Sequence, residues 1–125
     1  MNKINAYDFF IRERNLERNN GSSYMIISDK EKVTYERFVQ MVEEDYAGFF
    51  EEVSDCSRTG LLLPDCSVQQ VVYWGGLKHG LTSAIIPINE SADSIISIVK
   101  RAGIDLIVTD EEHMNILARV QKECN

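Results

Sequence analysis

Gly60-Leu61-Leu62-Leu63-Pro64-Asp65-Cys66-Ser67 is the stretch on which the fold turns. An unbroken apolar run ends in a proline and a short polar turn. Such runs suit strands covered on both faces of a parallel sheet, whereas half-solvated strands alternate apolar and polar residues. Moving outward toward the C-terminus, Val68–Lys78 is apolar at helical spacing, with Ser67 as the expected N-cap and Gly80 ending the helix. Ser83–Ile88 is the next strand. Ser91 caps a helix carrying Ile95, Ile96, Ile98, Val99 and Ala102, and Gly103 stands at its C′ position. Asp105–Thr109 is a third strand, and Asp110 caps a last helix with Met114, Leu117 and Val120. Parallel strands need crossovers, and helices supply them. The order from 60 to 122 is therefore β-α-β-α-β-α, with strands at 60–63, 83–88 and 105–109 expected to be mutually parallel.

Outward in the other direction the pattern changes. Residues 5–18 suggest a short helix through Tyr7, Phe9, Phe10, Ile11 and Leu16, ending before Asn19-Asn20-Gly21. Tyr24–Ser28 and Lys32–Thr34 form a candidate hairpin around Asp29-Lys30-Glu31. Thr34 then caps a long helix with Phe38, Met41, Val42, Tyr46, Phe49 and Phe50 at helical spacing. The expectation is an α/β fold: a three-layer βαβ arrangement on a mainly parallel sheet, preceded by an N-terminal helix and a short β-hairpin. It forms a single domain, with helix, hairpin and long helix over 1–58 and βαβαβα over 59–125.

Composition narrows the function classes. The 125 residues are 44% hydrophobic and 26% charged, ordinary for a soluble globular domain. The longest uncharged stretch, Cys66–Leu77, falls short of the roughly 20 apolar residues of a membrane span. Thirteen basic against 20 acidic residues give a net charge of −7, which repels nucleic-acid backbones and anionic lipid. Cys56, Cys66 and Cys124 form no CxxC pair and read as free thiols. Met1–Phe10 lacks the apolar core of a signal peptide, so the expected location is the cytoplasm.

Chemistry-bearing patterns are sparse. No GxGxxG follows a strand, and neither GxxxxGK[ST] nor GxSxG occurs. Gly75-Gly76 lies inside a helix and reads as close packing, and Gly80 as a C-cap. Cys66 stands between strand and helix, where helix-end amides favour a thiolate. His79 lies at the far end of that helix and His113 near the start of the last one, so neither is placed as its base. Glu43-Glu44, Glu51-Glu52 and Glu111-Glu112 occupy adjacent helical positions, where side chains diverge, and read as solvated faces. Tyr73 and Trp74 read as core or interface residues. Asp65, Asn89 and Asp110 share the carboxyl ends of the strands, where open α/β sheets bind ligands, though capping explains each more simply. Leu63, Ile88 and Thr109 exclude the acidic pocket of a receiver domain. No residue is assigned a catalytic, cofactor-binding or metal-ligating role.

Five segments together resemble the N-terminal part of the AMP-forming adenylate ligases, a superfamily of acyl-CoA synthetases, nonribosomal peptide adenylation domains, D-alanine–carrier-protein ligases and luciferases. Val33-Thr34-Tyr35-Glu36-Arg37-Phe38 resembles that family's entry to its first long helix, and Gly60–Ser67 its strand and Leu-Pro-Asn-Ser turn. Trp74–Gly80 is similar to its Leu-Gly-x-x-Lys-Ala-Gly helix end, Ile86-Pro87-Ile88-Asn89 to its Val-Pro-Leu-Asn strand exit, and Asp105–Asp110 to the strand after the next helix. Asp65 replaces the usual Asn, and Glu90 a common Pro. In the family, the Ser/Thr/Gly-rich phosphate loop with its Pro-Lys-Gly ending, the adenine-stacking aromatic, the ribose-binding Asp and the catalytic Lys all come later than this region.

The resemblance implies a fragment or subunit of a ligase that activates a carboxylate, an amino acid or a fatty acid, as an acyl-adenylate for transfer to a thiol. This chain alone would bind no cofactor and would not be catalytic; the complete enzyme would use ATP and Mg. The implied partner is the remainder of the ligase, on the same or another chain. A stand-alone interaction module or one half of a split ligase is the alternative. Tyr73, Trp74 and Leu77 on one helix, with Ile95, Ile96, Ile98 and Val99 on the next, exceed the apolar stripe one core needs. Exposure of that surplus would drive the isolated chain to pair as a homodimer.

Overall fold

The computed structural model describes residues 5–17, 21–64 and 66–124. Helix α1 spans Tyr7–Glu17 and is followed by the antiparallel hairpin β1 (Tyr24–Ile27) and β2 (Lys32–Thr34). The hairpin turn is tied by Ser28, whose Oγ accepts from the amides of Lys30 and Glu31. Asn19 and Asn20, in the expected turn after α1, lie outside the described residues, as does Asp65.

Thr34 caps α2 (Tyr35–Gln40), accepting from the Arg37 amide at 3.1 Å. The expected single long helix is instead built in pieces. After α2 the coil widens over Met41–Asp45, the Tyr46 amide reaching back five residues to the Met41 carbonyl, and α3 (Ala47–Glu52) then begins afresh. The run Glu43-Glu44-Asp45 places three carboxylates at a helix's carbonyl end, where the backbone dipole is already negative. Gly48 beyond it is a weak helix former, and the space where its Cβ would lie is open.

The second half matches the expected alternation. β3 (Arg58–Leu62) leads to α4 (Ser67–Lys78), β4 (Thr82–Ile85), α5 (Ala92–Ala102), β5 (Leu106–Thr109), a tight turn at Glu111–His113 and α6 (Met114–Cys124). The strand order is β4-β3-β5, all parallel, with Gly60 opposite both Ala84 and Ile107. The chain steps to one side of β3 and then crosses back to the other, which puts its crossover helices on opposite faces. Gly76 of α4 rests above Ser83 and Leu81 on one face. On the other, Leu62 and Ile86 pack with Ile95, Val99 and Val120 of α5 and α6. The result is helix, sheet, helix.

Two apolar cores follow from this layering. One joins Tyr7, Ile11, Val33, Phe38, Val42 and Phe50 to Val71 and Leu81; the other is the α5–α6 core. Part of the apolar surface expected to be surplus on the helix faces packs against these cores. Trp74 leans on the first core and Ile96 and Ile98 on the second, while the large apolar side chains most open to solvent among the described residues are Phe9, Phe10, Tyr24, Ile27, Ile85 and Met114.

Asp105 fastens the two halves of the sheet at its amino end. Its carboxylate accepts from the amides of Ser57 and Arg58 at 3.0 Å each and from the Ser57 hydroxyl. These bonds, the Ser57 amide first, hold its carboxyl below the ordinary value of 3.8. A depressed folded pKa stabilises the fold above the unfolded value and loses that contribution as pH falls through the folded one. Asp105→Asn is therefore expected to be less stable than the parent at pH 7, with the gap closing below about pH 4. Urea unfolding at both pH values checks this; a gap that persists in acid would contradict it.

Candidate functional site

The carboxyl ends of the three strands gather at one edge of the sheet. Leu62-Leu63-Pro64 leaves β3, Ile86-Pro87 leaves β4, and Asp110 follows β5. The direction in which successive strands are added reverses between β3 and β5, the place where open α/β sheets form a ligand crevice. There the Thr109 hydroxyl donates to the Leu62 carbonyl at 2.8 Å, closing the strand ends together.

Three helices start at this edge, and each start is already supplied with an oxygen from the chain itself. At α5, Ser91 Oγ accepts from the Ser94 amide at 3.2 Å. At the turn into α6, Asp110 accepts from the His113 amide at 3.2 Å and pairs with His113 Nδ1 at 2.5 Å. The pairing with His113 holds the Asp110 carboxyl below its ordinary range. At α4 the expected cap is corrected: Cys66, not Ser67, occupies the N-cap position and makes no side-chain cap bond. Ser67 lies inside the helix because its amide and hydroxyl are both taken by the carboxylate of Glu31, at 2.7 and 2.9 Å. Glu31 belongs to the hairpin turn, so the hairpin reaches over and fills the position where a helix N-terminus would otherwise hold an anion.

Other weighed residues fall apart from one another. His79, at the α4 carboxyl end, stacks on Phe50 with ring centroids 4.7 Å apart, and burial lowers its pKa. Cys66 is half-buried beside Gln70 and the hairpin, and neither histidine is bonded to it. Asn89 sits exposed in the turn after β4. Asp110, Glu112 and His113 bring ligand-type atoms within 4.8 Å of one another, an arrangement that the cap and the Asp110–His113 pair already explain. Glu31 is the residue sequence reasoning passed over. Its carboxylate reaches 36 positions along the chain, and no local pattern announces such a contact.

The comparisons with known proteins fit this layout. No protein-family model matches the sequence, and no curated protein matches it. Solved structures do. A benzoate CoA ligase from Burkholderia xenovorans superposes over 98% of this chain with a TM-score of 0.81 at 12% identity. The anthranilate CoA ligase AuaEII, solved in complex with anthranoyl-AMP, covers 96% with a TM-score of 0.76 at 18% identity. The Vibrio cholerae adenylation domain AlmE, in complex with glycyl-adenosine-5'-phosphate, covers 84% with a TM-score of 0.67 at 14% identity.

The chain has the fold of the N-terminal part of AMP-forming ligases. It spans about a quarter of the length of the ligases it matches, 24% of the benzoate CoA ligase and 23% of AuaEII. Within this ligase fold, the elements carrying the five resembling segments are a capped helix entry, a parallel strand, a helix end, a strand exit and a second parallel strand. Their side chains build the sheet and its covering helices. The three helix starts at this edge each receive an oxygen from the chain itself, and the sequence has no glycine-rich loop between strand and helix. No helix among the described residues is long and apolar enough to cross a membrane.

Proposed function

We propose that this chain is a structural wall of an AMP-forming ligase that activates a carboxylate and transfers it to a thiol. The observation carrying this reading is the match of 98% of the chain to 24% of a benzoate CoA ligase. The ligase would act in the cytoplasm and would use ATP and Mg, with the phosphate-binding loop and the lysine supplied by sequence beyond this chain's motifs. Its carboxylate would be an amino, fatty or aryl acid and its acceptor coenzyme A or a carrier protein. The chain's own part would be to present a rigid sheet against which the nucleotide-binding segments order. Holding reacting groups in fixed geometry is a large share of what such enzymes must supply.

ATP–pyrophosphate exchange over a panel of amino, fatty and aryl acids tests the proposal. The 125-residue chain alone is expected to give no acid-dependent exchange, and calorimetry with ATP and Mg to show no micromolar binding. The same chain within its natural assembly is expected to exchange with at least one acid. Exchange by the isolated chain would overturn the division of labour; no exchange in the natural assembly would overturn the ligase reading.

A further inference from the structure

We propose that β3, β4 and α4 enclose one bound water, held between the hydroxyls of Thr59 and Ser83 beneath Gly76. The proposal stands independently of the ligase reading. Thr59 and Ser83 are register partners in the parallel β3–β4 ladder, and paired residues point to the same face of a sheet. A Cβ on the neighbouring Gly60 would point at Ile86 and Ile104, on the α5 side, so Thr59 turns the other way, toward α4. Ser83 Oγ lies there too, next to Gly76 of α4. Thr59 is 0% exposed, and both hydroxyl oxygens are buried with no hydrogen-bond partner among the described residues.

Burying a hydroxyl costs free energy unless a new partner replaces the water it gave up on folding. Elsewhere in this sheet that condition is met, since the Thr109 hydroxyl donates to the Leu62 carbonyl. Above Thr59 and Ser83 the nearest backbone oxygen is engaged: the Gly76 carbonyl already accepts from the amides of His79 and Leu81, at 3.0 and 2.7 Å. Each hydroxyl offers one donor and two acceptor positions. A small neutral molecule between them can donate to one and accept from the other, and a buried water takes about two to four such partners. Gly76 supplies the room. A Cβ there would stand 3.3 Å from Ser83 Oγ and 3.3 Å from Leu81 Cβ, so glycine keeps the place beside the hydroxyl free of carbon. Alanine is the better helix former, and α4 forgoes it at this position. The water joins β3 to β4 through side chains as well as backbone, directly under the helix that crosses between them.

A crystal structure of the protein that shows ordered solvent, together with oxygen-17 relaxation dispersion in solution, decides it. One water oxygen is expected within hydrogen-bond distance, roughly 2.7–3.0 Å, of both Thr59 Oγ1 and Ser83 Oγ. The dispersion is expected to count one more long-lived water in the parent than in the double variant Thr59→Val/Ser83→Ala. Urea midpoints read the coupling. Either single substitution leaves the water a partner short and is expected to lower the midpoint. The second, made on top of the first, is expected to lower it far less or to raise it. Hydroxyls bonded directly to each other, a water on only one of them, or no water at the site overturns the proposal. So does an equal count of long-lived waters in parent and double variant, or midpoint losses that simply add. Should the double variant fail to fold, Gly76→Ala takes its place: the methyl occupies the space beside Ser83 Oγ, and the long-lived water is expected to disappear. Its persistence in that variant would overturn the site.

Discussion

Phe50→Ala should lower the stability of this protein by about 3–5 kcal/mol, the usual cost of emptying a buried phenyl site. Phe50 is 1% exposed. Its ring meets Phe49 edge-on at 5.2 Å and lies flat against His79. The ring also presses on α4 at Gly75, where an added Cβ would fall closer than van der Waals contact to three ring carbons, the nearest at 2.3 Å. Gly75→Ala alone is therefore expected to destabilise by about 1–3 kcal/mol through overpacking. That is the reverse of the roughly 1 kcal/mol that alanine normally gains over glycine within a helix. With Phe50 already truncated, the methyl finds room and the substitution should become neutral or stabilising. A double-mutant cycle by urea unfolding reads this sign change directly. Additive effects would mean that Gly75 is required for something other than the ring.

The second large effect centres on Tyr7. Tyr7 is fully buried although it lies on the N-terminal helix. Its hydroxyl donates to Glu43 Oε2 at 3.1 Å, while Arg12 donates to Glu43 Oε1 at 2.6 Å and the Lys78 ammonium stands 5.5 Å from the ring centre. Tyr7→Ala is expected to cost about 3–5 kcal/mol, because it opens a cavity and releases the ties between α1, the Met41–Asp45 segment and α4. Tyr7→Phe keeps the ring and should cost only about 1 kcal/mol, since Glu43 retains Arg12. Burial, followed by the nearby Glu43 carboxylate, pushes the Tyr7 phenol well above its ordinary 10.0. A raised folded pKa gives stability that is complete below the unfolded value and fades as pH climbs toward the folded one. Alkaline unfolding should thus steepen above about pH 10 in the parent and be flatter in Tyr7→Phe. Equal alkaline profiles would remove Tyr7 as the cause.

The α/β half was readable because its signals are local. Gly60–Leu63 has no polar interruption, and the caps at Thr34, Ser91 and Asp110 each act on an amide three residues ahead. Gly103 adopts the left-handed conformation, φ 65°, that a helix stop after Ala102 requires. Local rules erred where a distant group intervened. Ser67 has the composition of an N-cap, yet Glu31 takes its hydroxyl and moves the helix start back to Cys66. Apolar periodicity from Phe38 to Phe50 suggested one helix, because periodicity reports which face is buried and cannot register a widened turn at Met41–Asp45. The strand-end residues Asn89 and Asp110 were correctly placed at one edge. The capping role of Asp110 was legible too, whereas the Glu31 carboxylate at the α4 start was not, because it comes from 36 positions away.

Strand order also dictates a timetable for assembly. The hairpin and helix caps close over a few residues, and β4 can join β3 as soon as α4 has formed. β5 joins later because it emerges later from the ribosome, and its contacts then return from Asp105 to Ser57 over 48 residues and from Thr109 to Leu62 over 47. The entropy lost on closing such loops comes before the contacts that offset it. A nascent chain therefore holds its first core, from Tyr7 to Leu81, before the sheet has its third strand. On the ribosome, β5 and α6 are the last of the described elements to be fixed.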